Sequence, residues 1–576
     1  MRLLQLPVNN SGASDHFTSY SITLIQHLSI MQSILQYRAM RRSVRSRLDL
    51  LNSSSVVREK STVASPSRKR NHESLQEQRT MFDQGCAAPN QEQRASQPEK
   101  DPETATDFIV VSFEAHDAQH NPQHWSIRRK LFTTIVILGA GLSGGWASGN
   151  DSTIIQEAAK DFGVSDVVES LSTGVYLMAF GIGSLVSGPF SETVGRNPVY
   201  ICTLFCFMIF IMISALAPSV AVQFVFRSLA GMMGCTAVTT FAGSVADLWP
   251  PHHRALVFTL SSTINFCGVF LSPMVGAYIG QSTSLSWRWS EWVALLVAGF
   301  FTSFIVIFAP ETYAPLLLSW KAAILRKETG DMKYRSTLEA KEETLLRRLT
   351  HSTWRPFNML IHNMSVVLFT IYLTMIYIVS FTFLTGYTFI FGDIYHMSLG
   401  SVGLCFLGLD MGIIIATALA VPLHWKYLRD LEKARINGHQ SLLPEYRLLF
   451  AIITAPCLPI GLFWMAWTAD ESISFWSPLI GSTLIGVVFL GVFVSSYLYL
   501  IDSFGMYAAS ALSIATFCRY VAAGVMIPVS IPMYENLGVR WTLTLLGCIS
   551  LVLTPIPLAM RKYGPAIRRR SAELTS

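Results

Sequence analysis

Three ionisable side chains stand where such groups are rare. Arg227 and Arg519 interrupt the apolar stretches 221–246 and 508–530, and Asp410 lies near the middle of the stretch 401–423. An unpaired charge within hydrocarbon costs roughly 2.5–3.5 kcal/mol on insertion scales, so each of these groups needs a cavity, a counter-ion or a transported molecule. A carboxyl desolvated at that depth favours its neutral form, which suits a proton carrier. The alternative for Asp410 is a structural aspartate held by an arginine or a backbone group. No histidine competes for the role, because His362, His396 and His424 fall at the edges of apolar stretches or in loops. Asp502, at the end of a later stretch, is a secondary candidate for coupling. Aromatic residues gather in 365–390 and 476–500, among them Tyr377, Phe381, Tyr387 and Tyr497. They suit a flat or cationic apolar substrate, and helix packing equally well. Tyr387 is singled out as a substrate contact because Gly386 beside it opens space.

Other chemistries find no support. There is no GxxxxGK[ST] phosphate loop for direct use of ATP, and no nucleophile elbow, HExxH or histidine cluster faces the membrane surface as a membrane enzyme would need. The nine cysteines include no CxxC or Cys/His ligand spacing, so no metal is expected, and Cys202 and Cys206 share a helix face as packing residues. No cofactor is expected, and energy would come from an ion gradient.

The elements that must position these groups follow from composition. Of 576 residues, 51% are hydrophobic and 14% charged, with a mean hydropathy of +0.40, which describes a largely membrane-embedded chain. Twelve stretches are long enough to cross a hydrocarbon core of about 30 Å as helices. Their limits are 131–149, 170–190, 199–217, 221–246, 256–280, 289–309, 365–390, 401–423, 448–467, 476–500, 508–530 and 541–560. The expected organisation is a polar leader without stable order over 1–126, a six-helix half over 127–309, a basic central loop over 310–364, a second half over 365–560 and a tail over 561–576. On the side shared with the leader, 24 Lys and Arg stand between spans and in the tail, against Lys160, Arg288 and Arg540 on the other. Positive charge is retained on the cytoplasmic side, so both termini are expected there. The net charge of +6 is scattered in short clusters between apolar runs, which argues against nucleic acid as a partner.

Between the second and third spans the sequence reads GPFSETVGRNP, Gly188 to Pro198. Gly188 and Gly195 would allow close approach and a tight turn, while Glu192 and Arg196 offer charges that pair across helix ends, with Asp247 as a partner for Arg196 and Arg254 nearby. Such a network can latch two halves in one conformation and release them in another; the bland alternative is a set of solvated loop charges. With RSLAGMMG from Arg227, PETYAPLLLSWKAAILRKETG from Pro310, RPFNML from Arg355, PEYRL from Pro444 and YLIDSFGMYAASAL from Tyr499, all in order, the chain resembles the major facilitator superfamily. Within it, the resemblance is to the fungal twelve-span drug:proton antiporter branch of multidrug and polyamine exporters. It covers about residues 121–571. Asn197 replaces a second basic residue of that branch, Ser272-Pro273 and Gly276-Ala277 replace its glycine-rich antiporter pattern in span 5, and span 7 has Thr385-Gly386-Tyr387 where a proline is usual.

The resemblance implies a monomeric plasma-membrane exporter that exchanges protons for small apolar or cationic organic compounds such as drugs, toxins, polyamines or secondary metabolites. A facilitator that imports a small solute, or a non-transporting sensor whose leader is a signalling arm, are the alternatives. The topology predicts that Asn150, in the sequon Asn150-Asp151-Ser152, faces outside and takes any glycan, whereas Asn52 and Asn363 face the cytosol. An endoglycosidase mobility shift traced to Asn52 or Asn363 contradicts that orientation.

Overall fold

Apolar residues in lipid leave the backbone no partner but itself, so each stretch must close its hydrogen bonds as a helix. The computed structural model describes residues 32–62, 108–114, 119–339, 345–438 and 442–573. Eleven of its helical runs are long and apolar enough to cross a membrane, and the last run holds two spans, which gives twelve. The first half comprises Ile127–Gly149, Asp166–Val194, Arg196–Ala215, Val220–Leu248, Pro251–Gln281 and Trp289–Phe308, here spans 1 to 6. The second comprises Met364–Ile394, Leu399–Ile436, Pro444–Thr468 and Trp476–Phe504, then the run from Ala508 that carries spans 11 and 12.

The interruptions have local causes. Ala508–Leu553 is broken at Gly538, whose φ of 73° and ψ of 166° suit glycine and no residue with a Cβ. Span 9 divides into Leu448–Thr454 and Cys457–Thr468 around Pro456, whose ring cannot donate to the helix ladder. Span 7 widens into a π-type turn over Thr388–Ile394, and span 8 is interrupted at Phe406, four residues before Asp410.

The described residues fall into two compact units, one within Met1–Gln36, Ala118–Leu316 and Glu342–Ser576 and the other within Tyr37–Asp117 and Leu317–Lys341. The second unit corrects the expectation of a leader without order, because Gln32–Thr62 is helical. Met40 and Val44 bury against Leu317 and Ile324, and Arg41 and Arg45 lie 3.0 and 2.8 Å from Glu328. A helix with weak apolar patterning is stabilised here by a partner far along the chain. Ile109–Val110 pairs in parallel with Tyr334–Arg335. The remainder of the leader, 1–31 and 63–107, lies outside the described residues. The central loop is largely helical, with Ala314–Thr329 and Leu345–His362.

In the first unit the two halves meet along spans 2 and 11 and along spans 5 and 8. A Cβ on Gly524 would lie 2.5 Å from the Gly174 carbonyl oxygen, and one on Gly174 would lie 2.7 Å from that of Gly524. The backbones thus touch where small residues permit it. Thr263 and Thr417 share a hydrogen bond of 2.6 Å between spans 5 and 8, and the Gln281 side-chain oxygen accepts from the Gly400 N–H at 2.8 Å. Gly188, expected to serve close approach, instead faces open space with nothing within 4 Å of a Cβ.

These packing differences give a paired test. Gly524→Ala should destabilise the bundle by about 1–3 kcal/mol through overpacking, visible as a lowered Tm in detergent. Gly188→Ala should leave the Tm unchanged or raise it. Equal effects at the two positions contradict the packing described.

Candidate functional site

The charges at the central-loop end are built around the start of span 3. The chain turns at Gly195, with φ 110° and ψ 160°, and a Cβ there would lie 2.5 Å from Leu316 Cδ2 and 2.8 Å from Glu311 Oε2. The next residue, Arg196, is buried. Its Nε lies 3.1 Å from Asp247 Oδ2, its Nη2 3.8 Å from Glu192 Oε1, and its Nη1 donates to Ser191 Oγ at 2.5 Å. The structure therefore brings Glu192, Gly195, Arg196 and Asp247 together. All of them belong to the first half, so the network ties the ends of spans 2, 3 and 4 within that half. Arg254 has no ion pair within 4 Å among the described residues, but its charge is attracted by Asp247 and by Asp502 of the second half; its Nη2 donates to the carbonyls of Ala246 and Trp249 at 3.1 and 3.5 Å, closing the end of span 4.

Glu311 is the member that sequence reasoning missed. Fully buried, it accepts from the backbone N–H groups of Arg196, Thr312 and Tyr313 at 3.1, 2.9 and 2.8 Å through Oε1, and from that of Asn197 at 3.2 Å through Oε2. It is a carboxylate cap on the N-terminus of span 3, where unpaired N–H groups and the helix dipole favour negative charge. The signal was visible as Pro310-Glu311 directly after span 6. Asn197 fills the place of the second basic residue by donating to Ser33 Oγ and to the Ala309 carbonyl, both at 2.9 Å, and Gln36 exchanges hydrogen bonds with the Glu311 backbone at 3.2 and 3.3 Å.

The second half repeats this arrangement. Arg447, just before span 9, has its Nε 2.8 Å from Asp502 Oδ2 near the end of span 10 and its guanidinium 4.0 Å over the Tyr427 ring. Glu445 pairs with Arg568 of the tail helix at 2.8 Å. Asp502 is thus committed to an ion pair.

At the opposite end of the first half, Arg227 has no exposed surface and pairs with Asp151 and with Glu291, whose Oε1 is 3.3 Å from Nε. The Ala147 carbonyl and Asn150 Oδ1 accept from it at 3.2 and 3.4 Å. Nearby, Glu169 accepts from Gln223 Nε2 at 2.9 Å. Three buried acids, Asp151, Glu169 and Glu291, were thus not anticipated, although each sits at the margin of an apolar stretch. Asn150 is part of this packing: 1% exposed, its amide nitrogen donates to Ser290 Oγ at 3.1 Å. In the folded protein the expected glycosylation site is therefore a buried and engaged amide.

Between these ends lies the seam of the two halves. Asp410 is 4% exposed, and neither carboxylate oxygen has a hydrogen-bond partner of normal geometry among the described residues; the Cys267 thiol of span 5 lies against it. It stands roughly 16 Å along span 8 from Leu399, and Arg519 roughly 16 Å along span 11 from Ala508, at 1.5 Å per residue, so both are near mid-membrane. Arg519 is 2% exposed and framed by the rings of Tyr377, Phe493, Tyr497 and Tyr520, with centroids 4.6, 5.1, 5.1 and 5.2 Å from its guanidinium carbon. Rings of the first half complete the layer: Phe180 stacks on Tyr520 at 4.3 Å, and Phe266 meets Phe489 and Phe493 at 4.6 and 4.8 Å. Tyr387 is absent from it. It packs within the second half against Phe406 at 4.4 Å, and the space expected at Gly386 is filled by the Tyr534 hydroxyl.

Two cavities between the halves flank this seam. One, towards the central loop, is lined by Thr259, His424, Tyr427, Arg447 and Ser495; the other is lined by Thr153, Glu157, Thr388, Asp393 and Glu535. A two-half helical bundle with cavities on either side of a sealed, ionisable layer is the architecture of a membrane transporter working by alternating access. Residues 131–528 match the family model of the Major Facilitator Superfamily, and the chain belongs to that superfamily. It is 53% identical over 464 residues to the MFS-type transporter kojT of Aspergillus flavus, covering 81% of this chain and 82% of that protein. It is 34% identical over 485 residues to the citrinin biosynthesis cluster MFS transporter of Monascus ruber, covering 83% and 95%. The fold is shared with the partially occluded inward-open xylose transporter XylE of E. coli, with a TM-score of 0.53, 17% identity and coverage of 75% and 99%. The chain is therefore a transporter and not an enzyme.

Glu311→Ala would leave several buried N–H groups without an acceptor and should cost about 1–3 kcal/mol, with a lowered Tm and reduced transport. Glu192→Ala, at an exposed and longer pair, should leave the Tm nearly unaltered. A Glu311→Ala protein as stable as the parent contradicts the capping role.

Proposed function

We propose that this transporter exports a small organic product of fungal secondary metabolism across the plasma membrane in exchange for protons, with both termini in the cytosol. The observation that carries the reading is Asp410, a mid-membrane carboxyl at the meeting of the halves that no cation neutralises among the described residues. Burial without a counter-ion favours the neutral acid, and access to an aqueous cavity favours ionisation. A group in that position picks up a proton when the halves open to one side and gives it up when they open to the other. The relative of the citrinin biosynthesis cluster supports export of a metabolic product, and the 24 to 3 distribution of basic residues supports the orientation. The ion pairs of Arg196 and Arg447 then lie at the cytosolic ends of the two halves, and the cavity lined by Glu157 and Asp393 opens outward. A monomer suffices, since the seam is formed within one chain.

Asp410→Asn fixes a neutral side chain at this position. In proteoliposomes with an imposed pH gradient, uphill accumulation of substrate should fall by about tenfold or more, while equilibration down the substrate's own gradient persists. Full gradient-driven accumulation by Asp410→Asn makes Asp410 structural and refutes the coupling assignment.

A further inference from the structure

Two arginines are fully buried in this bundle, and their surroundings differ in kind. Arg227 has two carboxylates, Asp151 and Glu291, and is a closed structural unit. Arg519 has no ion-pair partner among the described residues; the Tyr497 side chain is a hydrogen-bond partner, but Nε and Nη1 have no acceptor. The guanidinium cannot escape this by losing a proton, because it stays charged under all ordinary conditions. The rings of Tyr377, Phe493, Tyr497 and Tyr520 offset part of the charge through their faces, but a ring face does not replace the in-plane acceptors that a guanidinium demands. A buried fork of N–H donors at the seam of a transporter is short of one component, an anion.

The rings around it add a shape. Phe258 of span 5 lies face to face with Phe493 and Tyr497 of span 10, at interplanar angles of 15° and 18° and centroid distances of 6.1 and 5.9 Å. Phe180 of span 2 stacks on Tyr520 of span 11 at 4.3 Å and 29°. Each stack joins one half to the other, so each is undone when the halves part, and the freed faces are matched by a flat guest between them. We infer that the aromatic cage of Arg519 is a binding subsite for a planar organic anion, a carboxylate or enolate conjugated to a ring, whose oxygens take the free N–H donors while its ring replaces a broken stack. This inference rests on the transporter reading and replaces the expectation of a cationic substrate. A cation in this layer would face an uncompensated guanidinium in a low dielectric, where like charges repel strongly.

The test uses the purified full-length chain and three probes of one shape and three charges: 2-naphthoate, 2-naphthamide and 2-naphthylmethylammonium. Equilibrium dialysis without any gradient should show 2-naphthoate binding about tenfold or more tighter than either of the others, as a charge-assisted fork predicts. Arg519→Gln should abolish that advantage and leave the amide's affinity within about twofold. Should Arg519→Gln fail to fold, Arg519→Lys carries the test, because it keeps the charge and loses the fork: the preference for the anion persists while its affinity falls. Tightest binding of the ammonium, retention of the full anion preference by Arg519→Gln, unaltered anion affinity in Arg519→Lys, or no saturable binding of any probe overturns the inference. Binding here needs no proton gradient, so an anion preference without driven flux refutes the exporter reading alone, and driven flux without an anion preference refutes this inference alone.

Discussion

A charge held in the membrane interior must find its opposite, and the structure is organised by where each buried arginine finds one. Arg196 finds Asp247 and Glu192 at the ends of neighbouring helices, and Arg227 finds Asp151 and Glu291 inside the first half. Arg519 finds rings and the Tyr497 side chain, but no carboxylate among the described residues. Removing one member of a buried pair costs more than the pair itself contributes, because the survivor stays desolvated. The first two clusters therefore hold each set of helices as a rigid body, and the third leaves an unmet demand at the joint between the bodies.

That division suits movement. The ion pairs at the central-loop end lie within halves, as Arg196–Asp247 in one and Arg447–Asp502 in the other, and they preserve the halves as units. Apart from the attraction between Arg254 and Asp502 at the central-loop end, what joins the halves is of a different kind: the glycine contact of spans 2 and 11, the Thr263–Thr417 hydrogen bond and a layer of stacked rings. Such contacts can be broken and remade without leaving a buried charge alone, which rigid-body rocking requires.

Much of this was legible in the sequence, for a physical reason. Lipid permits one solution for an apolar stretch, so the twelve spans and their division by the central loop could be read from hydropathy alone. Arg196 with Asp247 could be paired because both lie at ends that local topology brings together. The partners of Arg227 could not, since Asp151, Glu291 and Asn150 come from the ends of spans 1 and 6 and only three-dimensional packing aligns them. Glu311 stood in view after span 6, but its partners at the start of span 3 did not, and neither did the helix of the leader, whose Met40 and Val44 depend on Leu317 and Ile324. The space expected beside Tyr387 is filled because a glycine in sequence signals room without saying which side chain, here Tyr534, occupies it.

On this reading, the protein leaves Arg519 without a carboxylate because the transported molecule supplies one. An experimental structure of the full chain with its transported compound bound tests this most directly. Acidic oxygens of the compound should lie within about 3 Å of Arg519 Nε and Nη1, with its ring among Tyr377, Tyr497 and Tyr520. A bound compound that leaves Arg519 untouched, or a protein carboxylate paired with Arg519 in that state, contradicts it.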